Sequence, residues 1–230
     1  MIDDVKELIF DEEKLGIRSD ELDVRKENKL VKSIVLDLKF AIRKYGVLGL
    51  CANQIGIPKR VIVLNFNGDL KSFVNPLITK ADGLSFNRET LPNLPGKNYL
   101  VPRYNNISVT YMTATGKIQD CNLLGVAAHV MQQQVDLLEG ILISDIGFEI
   151  DEDFENASDE EKERIIGLFL DAIDTKREEL EKEINENDDL RKMREGINFI
   201  QSVEKGETIL EPQFEEVKKD ENDTAEQDNT

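Results

Sequence analysis

The sequence predicts an α+β fold that carries a helical hairpin at its C-terminal end. Three observations carry that expectation. Two stretches with helical spacing of apolar residues, 24–45 and 122–139, enclose a series of short β segments instead of alternating with them. Turn-forming residues crowd the chain between those segments. Charge is also uneven: 28 of the 47 acidic residues but 11 of the 29 basic residues fall in 151–230. Residues 1–150 are therefore nearly neutral, at −1, and the remainder carries −17 of the net −18. The predicted organisation is a globular domain over 1–150, an acidic helical hairpin over 151–205 and an acidic, disordered tail over 206–230.

Each element has its own reason. Residues 24–45 place Leu30, Ile34, Leu38, Ile42 and Tyr45 on one helical face. Residues 61–65 and 73–74 read as short strands, the second closed by Asn75 and Pro76. Residues 82–103 contain Gly83, Pro92, Pro95, Gly96 and Pro102 and read as irregular chain. Residues 107–112 read as another strand, and 122–139 return to helical spacing. Ser158 followed by Glu161 is a capping box opening a helix. Its apolar stripe is Ile165, Ile166, Phe169, Ile173, Leu180 and Ile184. After a turn at 185–188, a second helix over 188–203 carries Leu190, Met193, Ile197 and Ile200, which completes the hairpin.

Composition removes several function classes. With 40% hydrophobic residues, the chain can build a core. A net charge of −18 disfavours nucleic-acid and anionic-membrane binding. No apolar run is long enough to span a bilayer. The acidic start, MIDDVKELIFDEE, does not read as a secretory signal. Two cysteines, Cys51 and Cys121, suit a reducing setting, and both are expected as small buried apolar residues. The expected setting is therefore intracellular. A single histidine, His129, would have to carry any His-based zinc site or Ser-His-Asp triad alone. It is expected as a structural or surface residue.

Three motifs, in order, resemble the peptide deformylases. VLGLCANQIG at 47–56 is similar to the family's glycine-rich motif, with Gly49, Ala52, Gln54, Ile55 and Gly56 fitting. ETLPNLPG at 89–96 keeps Glu89, Pro95 and Gly96 of the second motif. QQQVDLLEG at 132–140 keeps Gln132, Asp136, Leu138 and Gly140 of the third. The resemblance spans about 24–146 and implies the family's fold, short antiparallel strands around a central helix. It also implies hydrolysis of the formamide on an initiator methionine, with a divalent metal activating the water.

Four of the positions that the resemblance assigns to chemistry carry other residues here. The three metal-ligand positions hold Leu91, Gln133 and Leu137, and the general acid/base position holds Gln134. Leucine supplies no lone pair, and a neutral amide is a feeble ligand for zinc or iron. Pro92 has no N–H to give to an oxyanion beside Gln54. The residues thus lead to expecting no catalytic residue, no metal and no cofactor. The expected protein is a catalytically inactive structural or interaction module. By analogy with the family's occurrence in bacteria and bacterial viruses, it is expected as a component of a bacteriophage particle, located in the cytoplasm of a bacterial host or within a virus particle. Its protein partners would bind within a larger assembly through the acidic hairpin, with no nucleic acid or membrane. The alternative is a non-hydrolysing binder of N-terminal formyl-methionine peptides, with Gly49, Gln54, Asn93, Leu94, Pro95 and Gly96 lining its groove. Glu89 and Asp136 are expected as structural hydrogen-bond acceptors.

Overall fold

The computed structural model describes residues 5–186. Its elements are helix α1 (Glu12–Leu15), helix α2 (Asn28–Tyr45), strand β1 (Gly49–Cys51), a 3-10 turn (Ala52–Ile55) and strand β2 (Val61–Phe66). Strands β3 (Asp69–Leu91), β4 (Leu94–Met112) and β5 (Ile118–Leu124) follow, then helix α3 (Val126–Glu139) and helix α4 (Ile143–Ile146). Strand β6 (Phe148–Glu149), helix α5 (Glu152–Asn156) and helix α6 (Asp159–Glu186) complete the order. The strands form one antiparallel sheet in the order β1-β2-β3-β4-β5, with β6 beside β4. This is the expected α+β class.

The run Val61, Ile62, Val63 and Leu64 decides where the helices go. Side chains alternate across a strand, so four consecutive apolar residues need cover on both faces. Val61 and Val63 join the core of α2, with Val31, Ile34, Leu38 and Ile42. Ile62 and Leu64 join the core of α3, with Ala128, Met131, Leu137 and Leu138. All four strand residues are buried.

Several sequence expectations change. Helix α2 starts at Asn28, because residues 23–27 form a turn closed by the Asp23 carboxylate, which accepts from the N–H groups of Arg25 and Lys26. Its buried face passes through Val31 and Val35, and Leu30 is exposed. Asn75 and Pro76 do not end a strand; β3 runs through them. Asn75 sits at φ 47° and its amide bonds both the N–H and the carbonyl of Leu22. The register shifts between Val74 and Leu77, and such a bulge tolerates the N–H that Pro76 lacks.

Residues 82–103 are not irregular but belong to the long β3–β4 hairpin. Its tip is Pro92 and Asn93, between the paired Leu91 and Leu94. The prolines and glycines mark a turn and bends within the hairpin. Residues 122–124 belong to β5, and α3 begins only after Gly125.

The compact unit containing the sheet runs to Lys162, and α6 from Glu163 onward belongs to a second unit. Ser158 Oγ accepts from the Glu161 N–H at 3.3 Å, so the N-terminal cap read in the sequence forms. The side chains of Ile173, Leu180 and Ile184, the helix expected over 188–203 and the tail over 206–230 lie outside the described residues. Among the described residues, no helix is long and apolar enough to cross a membrane.

Candidate functional site

A cleft of about 380 Å³ opens between the start of the sheet and α3. One wall is residues 46–49, leading into β1. The facing wall is residues 87–90 at the end of β3, with Pro92 beyond. Val126, His129, Val130 and Gln133 line it from α3, at spacings that place them on one helical face. β1 is the last strand of the sheet, and beyond Val74 β3 pairs with β4 alone. Both walls therefore present a strand edge without a partner strand among the described residues. A smaller hollow of about 230 Å³ shares Leu48, Val126 and Val130 with the cleft and continues to Leu64 and Phe66. It gives the cleft an apolar arm.

Buried charge holds the β3 wall in place. Arg103 from β4 grips Glu89 with two parallel bonds, Nε to Oε1 at 2.8 Å and Nη2 to Oε2 at 3.0 Å. Its Nη1 pairs with Asp136 of α3. Burial works against the Arg103 charge, but the two carboxylates outweigh burial and raise its pKa. The triad ties β3, β4 and α3 together, so Glu89 and Asp136 do act as structural acceptors.

His129 is half-buried and hydrogen-bonded to neighbouring side chains, in keeping with its expectation as a structural or surface residue. It lines the cleft, with Nε2 3.2 Å from Asn87 Nδ2 and 2.8 Å from Asn105 Oδ1. Burial pushes the imidazole pKa down, outweighing the Glu89 charge, so the ring is neutral at pH 7. Cys51 is fully buried and its thiol is pushed up to about 12 by that burial, as expected of a small core residue. Cys121 is only partly buried.

Of the residues assigned to the peptide groove, Gly49 lines the cleft. Gln54 and Asn93 are buried behind it and bond each other. Gln54 Oε1 accepts from the Cys51 N–H at 3.0 Å, and Gln54 Nε2 donates to Asn93 Oδ1 at 2.7 Å. Asn93 Nδ2 in turn donates to the Ile9 carbonyl at 2.6 Å. Both ends of the Gln54 amide are thus engaged, Oε1 in capping its own 3-10 turn and Nε2 in joining that turn to the hairpin tip. Leu94 is buried, while Pro95 and Gly96 are exposed at the hairpin.

The positions that the resemblance assigns to a metal do converge. Gln133 and Leu137 are one turn apart on α3. Gln133 Nε2 donates to the Thr90 carbonyl at 3.1 Å and to Glu89 Oε2 at 3.2 Å, beside Leu91. Leu91 and Leu137 are each 1% exposed and share one core. Gln134 Nε2 donates to Gln133 Oε1 at 3.2 Å, and its own buried Oε1 has no partner among the described residues. Among the described residues, no group of three or more His, Cys, Asp and Glu is placed to hold a metal ion. The side chains at these positions do not fit a divalent metal.

The first motif supplies Leu48 and Gly49 to the cleft, the second Glu89, Thr90 and Pro92, and the third Gln133; Asn87 and Val126 lie outside the motifs. The signal for His129 was present in its position one helical turn before Gln133.

The polypeptide deformylase family model matches residues 8–149. The chain is 32% identical over 122 residues to a peptide deformylase of Dictyoglomus turgidum, covering 53% of this chain and 80% of that one. It is 31% identical over 133 residues to a peptide deformylase of Syntrophomonas wolfei, covering 58% and 88%. It is also similar to the crystal structure of PDF from the Vibrio parahaemolyticus bacteriophage VP16T in complex with actinonin. That match has 29% identity and a TM-score of 0.55, and it covers 60% of this chain and 99% of the other.

These findings correct the expectation of a protein that is not an enzyme and serves as an inactive structural or interaction module. The matching family and these relatives are named for a hydrolytic enzyme. The same finding sets aside the non-hydrolysing binder. A bacteriophage particle component also lacks support, since the phage protein is described as a PDF. The earlier expectation weighed four positions, whereas the comparisons weigh most of the folded domain.

Proposed function

Because the chain belongs to the polypeptide deformylase family, we propose that it is a hydrolase acting on the formyl group of N-terminal formyl-methionyl peptides. The observation that supports this most is the coincidence of the family match, residues 8–149, with the part of the fold that builds the cleft. In the reaction, water adds to the formyl carbon, the C–N bond breaks, and formate leaves a free α-amino group.

The cleft suits such a substrate. An extended peptide entering between the edges of β1 and β3 gains main-chain hydrogen bonds from either wall, the β-addition mode of peptide recognition. The hollow beyond Leu48, Val126 and Val130 is apolar enough for an unbranched methionine side chain. The Arg103 triad keeps the β3 wall rigid. His129 stands neutral on the α3 wall, where an imidazole can accept a proton. The family chemistry implied by the resemblance uses a divalent metal, and the residues present do not fit one; no step is derived through it.

The proposal includes a bacterial cytoplasmic location, in keeping with the bacterial relatives. It also includes protein partners for the acidic segment 151–205, and no nucleic acid or membrane, on grounds of charge.

The test is release of formate from an N-formyl-methionyl tripeptide by the full chain. Formate should form in proportion to protein, and Val126→Arg, which fills the apolar arm, should lower the rate. No formate above the protein-free blank at millimolar peptide would overturn the proposal.

A further inference from the structure

We infer that the position which the family resemblance assigns to a divalent metal is sealed in this chain by Leu91 and Leu137, while the backbone around it keeps the geometry that ligands would need. The fold therefore does not draw on a metal there. This goes beyond the deformylase reading and does not depend on it.

Three observations carry the inference. The first is convergence. The helix places positions 133 and 137 on one face, and Gln133 reaches the carbonyl of Thr90, the residue next to Leu91. Leu91 and Leu137 are packed into the same core at 1% exposure each. The three positions still face one another across the α3–β3 contact.

The second is donor chemistry. A zinc-like or iron-like ion needs three or four lone pairs from imidazole, thiolate or carboxylate. Here the leucines offer none, and the one lone-pair donor of the Gln133 amide, Oε1, already accepts from Gln134 Nε2 at 3.2 Å. The unpartnered Oε1 of Gln134 is one neutral acceptor. Glu89, the carboxylate next in reach, has both oxygens held in the bidentate grip of Arg103.

The third is the quality of the seal. An empty metal site would leave several polar groups buried without partners, which is costly. Around this position the described structure leaves one such atom, Gln134 Oε1, while the Gln133 amide is paired and Leu91 and Leu137 lie in one apolar core. The replacements are consistent with one another: two ligand positions became core, and the third became a tie to β3.

The experiment uses the purified full chain, prepared without chelator. Elemental analysis should find less than about a tenth of an equivalent of transition metal. The melting temperature should not change when EDTA or 1,10-phenanthroline is added. About one equivalent of metal, or a chelator-dependent fall in melting temperature, would overturn the inference.

The triple variant Leu91→Cys/Gln133→His/Leu137→His tests the retained backbone. It should acquire about one equivalent of zinc, and its melting temperature should become sensitive to chelator. A folded variant that takes up no metal would contradict the convergence. If the variant does not fold, the measurements on the unaltered chain still decide.

Formate release measured on the same preparation separates this inference from the deformylase reading. Activity without metal leaves both standing. Activity that a chelator abolishes overturns the inference alone, and no activity together with no metal overturns the deformylase reading alone.

Discussion

Arg103 shows how individual residues hold the cleft. Its side chain is 4% exposed, and that of Glu89 is 8% exposed. Removing the cation would strand the buried Glu89 carboxylate and the partly buried Asp136 carboxylate, which is far costlier than never burying the group. Arg103→Met should lower the unfolding free energy by about 3–5 kcal/mol in chemical denaturation. The double variant Arg103→Met/Glu89→Gln should recover part of that loss. Equal losses in the two variants would show that the stranded charge is not the cause.

His129 gives a pH signature with a definite sign. Its folded pKa lies below the unfolded value, so the unfolded chain binds more protons and stability rises with pH across that interval. The contribution is complete above the ordinary imidazole value of about 6.5 and is lost as the pH falls through the lowered folded value. His129→Asn should flatten this acid-side decline in thermal melts, and an unchanged profile would assign it to other groups. At this scale the sequence was partly legible. Glu89 and Asp136 were recognised as acceptors, but their cation could not be read, because Arg103 meets Asp136 only when β4 packs on α3.

At the scale of elements, legibility followed periodicity. The central helix α3, the apolar run of β2 and the Ser158 cap could be read because each has a local cause. The β3–β4 hairpin could not. Its prolines and glycines look like loop chemistry, and only the pairing of strands up to 23 residues long shows them to be bends and a two-residue tip.

Gly140 illustrates the same dependence on context. It ends α3 at φ +78°, and a Cβ there would lie 2.3 Å from the carbonyl oxygen of Gly16. Gly96 has a similar φ, +82°, but a Cβ there would meet nothing within 4 Å. Gly96→Ala should cost about 1–2 kcal/mol, the strain of a left-handed backbone alone. Gly140→Ala should cost more than that, because the Gly16 backbone must move as well. Equal losses in the two variants would contradict the close approach.

For the whole molecule, the three motifs identified the family and the α+β fold from about half of the chain. They supplied Gly49, Glu89 and Gln133 to the cleft, but not the wall residues Asn87 and Val126, which lie outside the motifs. Reading function from the four altered positions led to an inactive module, and the family and relatives correct that reading. What the four positions do establish is chemical: leucine and glutamine stand where a metal would need charged or imidazole donors. The cleft and the apolar packing of Leu91 and Leu137 are thus separate features, and the proposed activity depends on the cleft.

The most direct test of that claim is formate release from an N-formyl-methionyl tripeptide by the unaltered chain, compared with Val126→Arg. The account predicts catalysed release that the arginine suppresses while the melting temperature is unchanged. Formate no higher than the blank, or release indifferent to Val126→Arg, would contradict it.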